Sequence, residues 1–242
     1  AEQRRVAGRG DGESWMPQRL IITIDGPAGT GKSTVARELA RKLGVDFLDT
    51  GAMYRAVGLL ARRRGLTLPI TEPDEAGLLA EQAEIVVTGS GGDVRTFLDG
   101  EDVSAEIREP EISRYASAVA AIPRVRRRLA ARQRELALAG GGVLEGRDIG
   151  TRVVPEAATK FFLTARPEVR ARRRYEELVR KGTPQELATV RAEMEARDAA
   201  DSSRADSPLS CDGTYVVVDT SDLPAGEVVE RLRRLVLGPG AG

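Results

Sequence analysis

An α/β fold with a doubly wound parallel sheet is what this sequence predicts, and three observations carry the prediction. Short β-branched runs alternate with amphipathic helical stretches from Leu20 to Leu237, the alternation that builds a parallel sheet covered on both faces. The first run leads into a glycine-rich loop, Gly26-Pro27-Ala28-Gly29-Thr30-Gly31-Lys32-Ser33, and then a helix. From Leu66 to about Arg108 the texture changes to turns and short strands. A parallel core has no use for tight hairpins, so a small antiparallel insertion is expected there.

Taken in order, Leu20 to Asp25 reads as a buried strand. The helix after the loop places Val35, Ala36, Leu39, Ala40 and Leu43 on one face, with Arg37, Glu38, Arg41 and Lys42 opposite, and Gly44 ends it. Val45 to Asp49 is a second strand, and Thr50 opens a helix that runs to about Arg64. Glu72 to Glu84 is a short helix begun at Thr71, with Pro73 in its first turn. The insertion then reads Ile85–Thr88, the turn Gly89–Gly92, Val94–Leu98, the Asp99-Gly100 hairpin pair and Glu101–Val103. Helix returns from Glu111 to Ala139 with a break at Pro123. Gly142 to Glu145, Thr159 to Thr164 and Tyr215 to Asp219 are further strands. A charged helical pair spans Glu168 to Arg197, broken at Lys181–Pro184, and a last helix covers Pro224 to Leu237.

Composition narrows the chemistry. Thirty-seven Lys and Arg balance 37 Asp and Glu, which argues against a nucleic-acid partner held by bulk charge. With no histidine in 242 residues, Ser-His-Asp and Cys-His catalysis and His-ligated metals are excluded. The single Cys211 forms no internal disulfide, in keeping with a reducing cytoplasm. No apolar run approaches the ~20 residues of a membrane span. The stretch before Gln18 lacks an apolar signal-peptide region and reads as a disordered arm, with Met16 as an alternative start.

The loop from Gly26 to Ser33 fits G-x-x-x-x-G-K-[ST] without a gap. In such a loop, backbone amides cradle phosphate oxygens, the lysine reaches the β- and γ-phosphates, and the serine hydroxyl ligates Mg²⁺. Thr34 follows at the helix start, where the dipole favours an anion. The sequence therefore points to a nucleoside triphosphate. A GTPase would carry an Asn-Lys-x-Asp guanine reader and a transport ATPase an LSGGQ-like signature; neither occurs. Arginine clusters at Thr50–Arg55, Ser117–Arg126, Glu145–Asp148 and Arg197–Arg204 instead suit a second, anionic substrate.

These segments together resemble the bacterial cytidylate kinases, nucleoside monophosphate kinases of the P-loop class. The likeness rests on Ile24–Thr34, Leu48–Arg55, Leu98–Val103, Val119–Arg126 and Glu145–Thr151, in the family's order. It implies a leader (1–18), a core (19–65, 111–165 and 199–237), an insertion that binds the monophosphate (66–110), a helical lid (166–198) and a tail (238–242). It also implies that Gly26 to Thr34 bind ATP, and that Thr50 and Tyr54 line the acceptor cleft. Arg55, Arg147 and Arg204 would hold the acceptor's phosphate, Arg197 and Asp201 its pentose, and Ser117, Arg126 and Asp148 the cytosine. Lys32 with lid arginines Arg170 and Arg174, and their neighbour Arg173, would neutralise the transferred group. Mg²⁺ would sit on Ser33, with Glu145 acting through water; the family more often has Asp at that position.

The implied reaction is phosphoryl transfer from ATP to CMP and dCMP by a monomeric, cytoplasmic enzyme of pyrimidine metabolism, with no membrane or nucleic-acid partner. Plainer readings stand beside it. Asp148 suits a helix cap or an ion pair with Arg147, Arg126 a row of solvated arginines, and the lid arginines an exposed helix face. A kinase preferring UMP or another small acceptor, or a catalytically silent ATP-binding module, are the other functions these residues allow.

Overall fold

The computed structural model describes residues 20–88, 94–204 and 206–238. The expectations for the leader 1–18, Met16, the turn Gly89–Gly92 and residues 239–242 lie outside the described residues. Five strands form one parallel sheet: β1 (Ile21–Asp25), β2 (Phe47–Asp49), β6 (Gly142–Glu145), β7 (Thr159–Thr164) and β8 (Val216–Asp219). Their spatial order is β2-β6-β1-β7-β8, so β1 is central. Three more strands, β3 (Ile85–Thr88), β4 (Arg95–Leu98) and β5 (Glu101–Asp102), make a small antiparallel sheet. The expected fold class is what the chain adopts.

Strand alternation assigns side chains to the two faces of the parallel sheet. Ile22, Ile24, Val143, Phe161 and Val218 pack with Val35, Ala36 and Leu39 of α1 (Lys32–Leu43) and Val228, Val229 and Leu232 of α8 (Ala225–Leu237). On the other face Ile21 and Leu144 meet Ala137 of α5 (Pro123–Gly140), together with Ile149, Val153 and Val154. Ile149 and Val153 belong to a π-helical turn, Ile149–Val153, capped by Val154, that the periodicity of so short a segment does not reveal. Gly44 ends α1 at φ 66°, its amide turned back to the carbonyls of Ala40 and Arg41.

The remaining helices are α2 (Thr50–Arg63), α3 (Pro73–Gln82), α4 (Pro110–Ala120), α6 (Pro167–Arg180) and α7 (Leu187–Ser203). Helix α3 begins from Glu72 rather than Thr71. Helix α7 runs on through the boundary expected at 198 to Ser203, because no glycine or proline interrupts it. The insertion does not own its core. Ala76, Leu79, Ile85, Leu98, Val103 and Ile107 join one apolar cluster with Met53, Val57 and Leu59 of α2, Ile112 and Val119 of α4 and Val125 and Leu129 of α5. Arg62 and Arg63 of α2 reinforce this seam by pairing with Glu101, Glu106, Glu109 and Glu111.

Helices α2 and α4 touch at backbone distance. A Cβ on Gly58 would lie 2.8 Å from the Ala116 amide nitrogen and 3.0 Å from the Tyr115 carbonyl carbon. Backbone cannot yield as a side chain does, so Gly58→Val forces the helices apart. Its unfolding free energy in urea should fall by about 1–3 kcal/mol; an unchanged denaturation midpoint would contradict the close contact.

Candidate active site

The loop between β1 and α1 is shaped by backbone that other residues resist. At Gly26, φ is 143° and an added Cβ would stand 2.1 Å from the Leu163 carbonyl oxygen, so the loop leaves β1 pressed against β7. Gly31, at φ 88°, is the residue from which α1 starts. Lys32 is buried, and its Nζ donates to the Pro27 carbonyl at 2.7 Å and lies 3.5 Å from Thr30 Oγ1. Burial first, then the Arg147 and Arg197 guanidinium groups, push its ammonium well below the ordinary lysine range, against the pull of Glu145 and Asp25.

At the carboxyl ends of β2 and β6, Asp49 and Glu145 stand side by side in register. Burial, then the Asp49 carboxylate, push Glu145 up to about 7, while Lys32, a hydrogen bond from Ser33 and Arg55 oppose the rise. Asp49 also caps α2 by accepting the Ala52 amide at 3.0 Å and lies 3.7 Å from Arg55. Sequence reading had not singled out Asp49, although a carboxylate directly before a helix is a capping signal. A serine hydroxyl beside two carboxylates is an oxygen donor set, which fits Mg²⁺. Among the described residues no three metal-ligating side chains of the His, Cys, Asp and Glu types converge. Mg²⁺ does not need them, since it keeps several waters and takes further ligands from phosphates.

Across the cleft the cationic groups accumulate. Arg147 donates from Nε to Asp201 at 3.0 Å, and Arg204 donates from Nη2 to the other Asp201 oxygen at 2.6 Å. Arg197 is half-buried, and its Nε, shielded from solvent, has no hydrogen-bond partner among the described residues. Burial and then Arg147 pull its guanidinium down to about 10, with Arg55 and Arg174 adding to the repulsion and Asp201 opposing it. An arginine ordinarily stays above ~12. Thus Lys32, Arg55, Arg147, Arg174 and Arg197 act on one region, and Asp201 is the carboxylate that holds two arginines in place.

A second buried group adjoins it. Arg126 and Asp148, both almost fully buried, form an ion pair at 2.6 Å, so the partner of Asp148 is Arg126 and not Arg147. Tyr54 lies with its ring 5.5 Å from the Arg126 guanidinium carbon. Burial pushes the Tyr54 phenol up to about 12. Arg126 is therefore no solvated arginine, unlike its exposed neighbour Arg127. Thr50 is buried and donates its hydroxyl to the Glu145 carbonyl at 2.6 Å, fastening the start of α2 to the end of β6. Ser117 lies half-buried on α4, and no hydrogen bond among the described residues joins it to Arg126 or Asp148.

The helical pair α6–α7 reaches the phosphate loop directly. Arg170 is buried; it donates to the carbonyls of Ala165 at 3.1 Å and Ala28 at 3.2 Å and pairs with Asp198. Asp198 in turn accepts the Ala28 amide at 3.4 Å. Ala28 and the neighbouring loop residue Gly29 sit against Met194. Arg173 donates to Thr220, and Arg174 pairs with Glu177. Asp198 escaped the sequence reading because it lies 170 residues from the amide it holds. The same holds for Asp25, whose carboxylate accepts the amides of Ile149 and Gly150.

A family model described as cytidylate kinase matches residues 22–237. The cytidylate kinase of Desulfitobacterium hafniense is 48% identical over 220 residues, covering 91% of this chain and 94% of that protein. The cytidylate kinase of Mycobacterium leprae is 49% identical over 218 residues, covering 90% and 95%. The chain belongs to the cytidylate kinase family. It is thereby a nucleotide-binding phosphotransferase, and among the described residues no helix is long and apolar enough to cross a membrane. A solved structure of an uncharacterized protein from Eubacterium ventriosum shares the fold, with TM-score 0.50 and 11% identity over 91% of this chain and 99% of that one.

Asp201 gives this geometry a measurable pH signature. Burial raises its carboxyl, but Arg147, Arg204 and Arg197 outweigh burial and hold it below the ordinary range. A depressed folded-state pKa contributes stability above the unfolded value of ~4 and loses it as pH falls through the folded value. Wild type should therefore exceed Asp201→Asn in unfolding free energy at pH 7, and the gap should close progressively below about pH 4. A gap that stays constant down to pH 2 would contradict the pairing.

Proposed function

We propose that this chain transfers the γ-phosphoryl group of ATP to the 5′-phosphate of CMP or dCMP, giving ADP and CDP or dCDP. The observation that carries the reading is the gathering of Lys32, Arg55, Arg147 and Arg197 between a phosphate loop and a buried Arg126–Asp148 pair. Burial first and then repulsion from Arg147, Arg55 and Arg174 pull Arg197 down to about 10, and a second phosphate entering that region relieves the repulsion. The names of the relatives support cytidine as the base.

In this reading, amides of Gly26 to Thr34 bind the triphosphate, and Lys32 leaves the Pro27 carbonyl for the β- and γ-phosphates. Arg55, Arg147 and Arg204 hold the acceptor's phosphate, Arg197 and Asp201 its pentose, and Thr50 and Tyr54 shape the cleft. An acceptor oxygen attacks the γ-phosphorus in line as the bond to the bridging β–γ oxygen breaks, and ADP departs with that oxygen. The acceptor is a phosphomonoester with a second pKa of ~6, so it needs no strong general base. Arg170, Arg173 and Arg174 belong to the helical pair that closes over ATP; Arg170 and Arg174 exchange their carboxylate partners for phosphate as it closes. Ser33, with Glu145 acting through water, would hold Mg²⁺, which would supply charge neutralisation for the transferring phosphoryl group. We place this activity in the cytoplasm, in a monomer serving pyrimidine nucleotide metabolism.

Asp148, paired with Arg126, reads the base together with Ser117. A carboxylate accepts the exocyclic amine of cytosine and repels the carbonyl oxygen that uracil puts there. Coupled turnover assays with CMP, dCMP, UMP and AMP should rank the cytidine nucleotides first. Asp148→Ala should reduce the CMP:UMP ratio of kcat/KM by about tenfold, within the 1–3 kcal/mol typical of one base contact. AMP or UMP as the best acceptor would overturn the assignment, and an unaltered ratio would remove Asp148 from base readout.

A further inference from the structure

Asp25 is the last residue of β1 and directly precedes the first glycine of the phosphate loop. Its side chain is fully buried and reaches into the turn that follows β6. Oδ1 accepts the Ile149 amide at 3.0 Å, and Oδ2 accepts the Gly150 amide at 2.8 Å and the Tyr215 hydroxyl at 2.7 Å. The π-helical turn so held begins at the Asp148 carbonyl, which accepts the amides of Arg152 at 2.9 Å and Val153 at 3.3 Å. The turn has no room to slide: a Cβ on Gly150 would meet Thr23 Oγ1 and Tyr215 Oη, each at 2.7 Å.

We propose that Asp25, completed by Tyr215, is a positioning residue for the acceptor: one carboxylate fixes the turn that carries Arg147 and Asp148 against the loop that holds ATP. This rests on the roles given to Arg147 and Asp148 above. The covalent link from Asp25 to Gly26 and the paired amides of Ile149 and Gly150 join the donor and acceptor loops through a single side chain. In-line transfer depends on the relative placement of those loops, where a shift of ~1 Å can reduce rate a hundredfold. A carboxylate serves here because each of its oxygens receives a backbone amide; an amide in its place would set an N–H against a backbone N–H in either orientation.

The test compares Asp25→Asn and Tyr215→Phe with wild type in steady-state kinetics on CMP and UMP, in ATP titrations at saturating CMP, and in thermal melting. Asp25→Asn should raise the KM for CMP at least tenfold and lower the CMP:UMP ratio of kcat/KM, with the KM for ATP changed less than threefold. Tyr215→Phe, which removes one donor, should move CMP in the same direction by about twofold to fivefold. If Asp25→Asn does not fold, Tyr215→Phe alone decides. A lower melting temperature with the CMP:UMP ratio and the KM for CMP unchanged would reduce Asp25 to a structural brace and overturn the proposal, as would equal losses for ATP and CMP. Wild type that fails to phosphorylate CMP would instead overturn the reading of the acceptor site.

Discussion

Positive charge crowded into a poorly hydrated cleft is the constraint on which the rest of this structure depends. Lys32 and Arg197 are both displaced downward from their ordinary ranges, by burial first and by neighbouring arginines second. A fold tolerates such crowding only if carboxylates hold the cations without cancelling them. Asp201 bridges Arg147 and Arg204, Asp49 lies near Arg55, and Arg170 is paired with Asp198. Lys32 rests on a backbone carbonyl instead. Crowding of this kind favours a bound anion.

The sheet order explains how residues so far apart in sequence meet. With β1 between β6 and β7, the loop after β1 and the turn after β6 emerge side by side at the carboxyl edge, where open α/β sheets bind ligands. The end of β2, one strand further out, brings Asp49, Thr50 and Arg55 to the same edge. Thr50 then ties the start of α2 to the Glu145 carbonyl. The insertion extends the α2–α4–α5 core, while α6 and α7 reach the phosphate loop.

What could be read from sequence was what is encoded locally. The phosphate loop, the alternation of strands and helices and the Asp99-Gly100 hairpin each depend on a few consecutive residues, and each forms where expected. Arg55 and Arg147 stood out as arginines shortly after strands and Arg197 as part of an arginine cluster, and resemblance supplied their roles. The burial of Arg126 was not legible: Arg124, Arg126, Arg127 and Arg128 look alike in a string, and only the packing of α5 singles one out. The same limit hid Asp25, whose partners are more than 100 residues away, and the hold of Asp198 on the Ala28 amide, which spans 170 residues. The π-helical turn was hidden for a different reason. Five residues carry no periodicity, and the turn owes its shape to amides drawn onto a buried carboxylate.

The central claim is that two polyanions meet end to end between the glycine loop and the facing arginines. A crystal structure with a bisubstrate mimic, adenosine and cytidine joined 5′ to 5′ by a polyphosphate, tests it most directly. One end of the polyphosphate should be hydrogen-bonded to amides of Gly26 to Ser33 and the other to Arg55 and Arg147, with cytosine against Asp148. A cytidine moiety bound away from all three of those side chains would contradict the account.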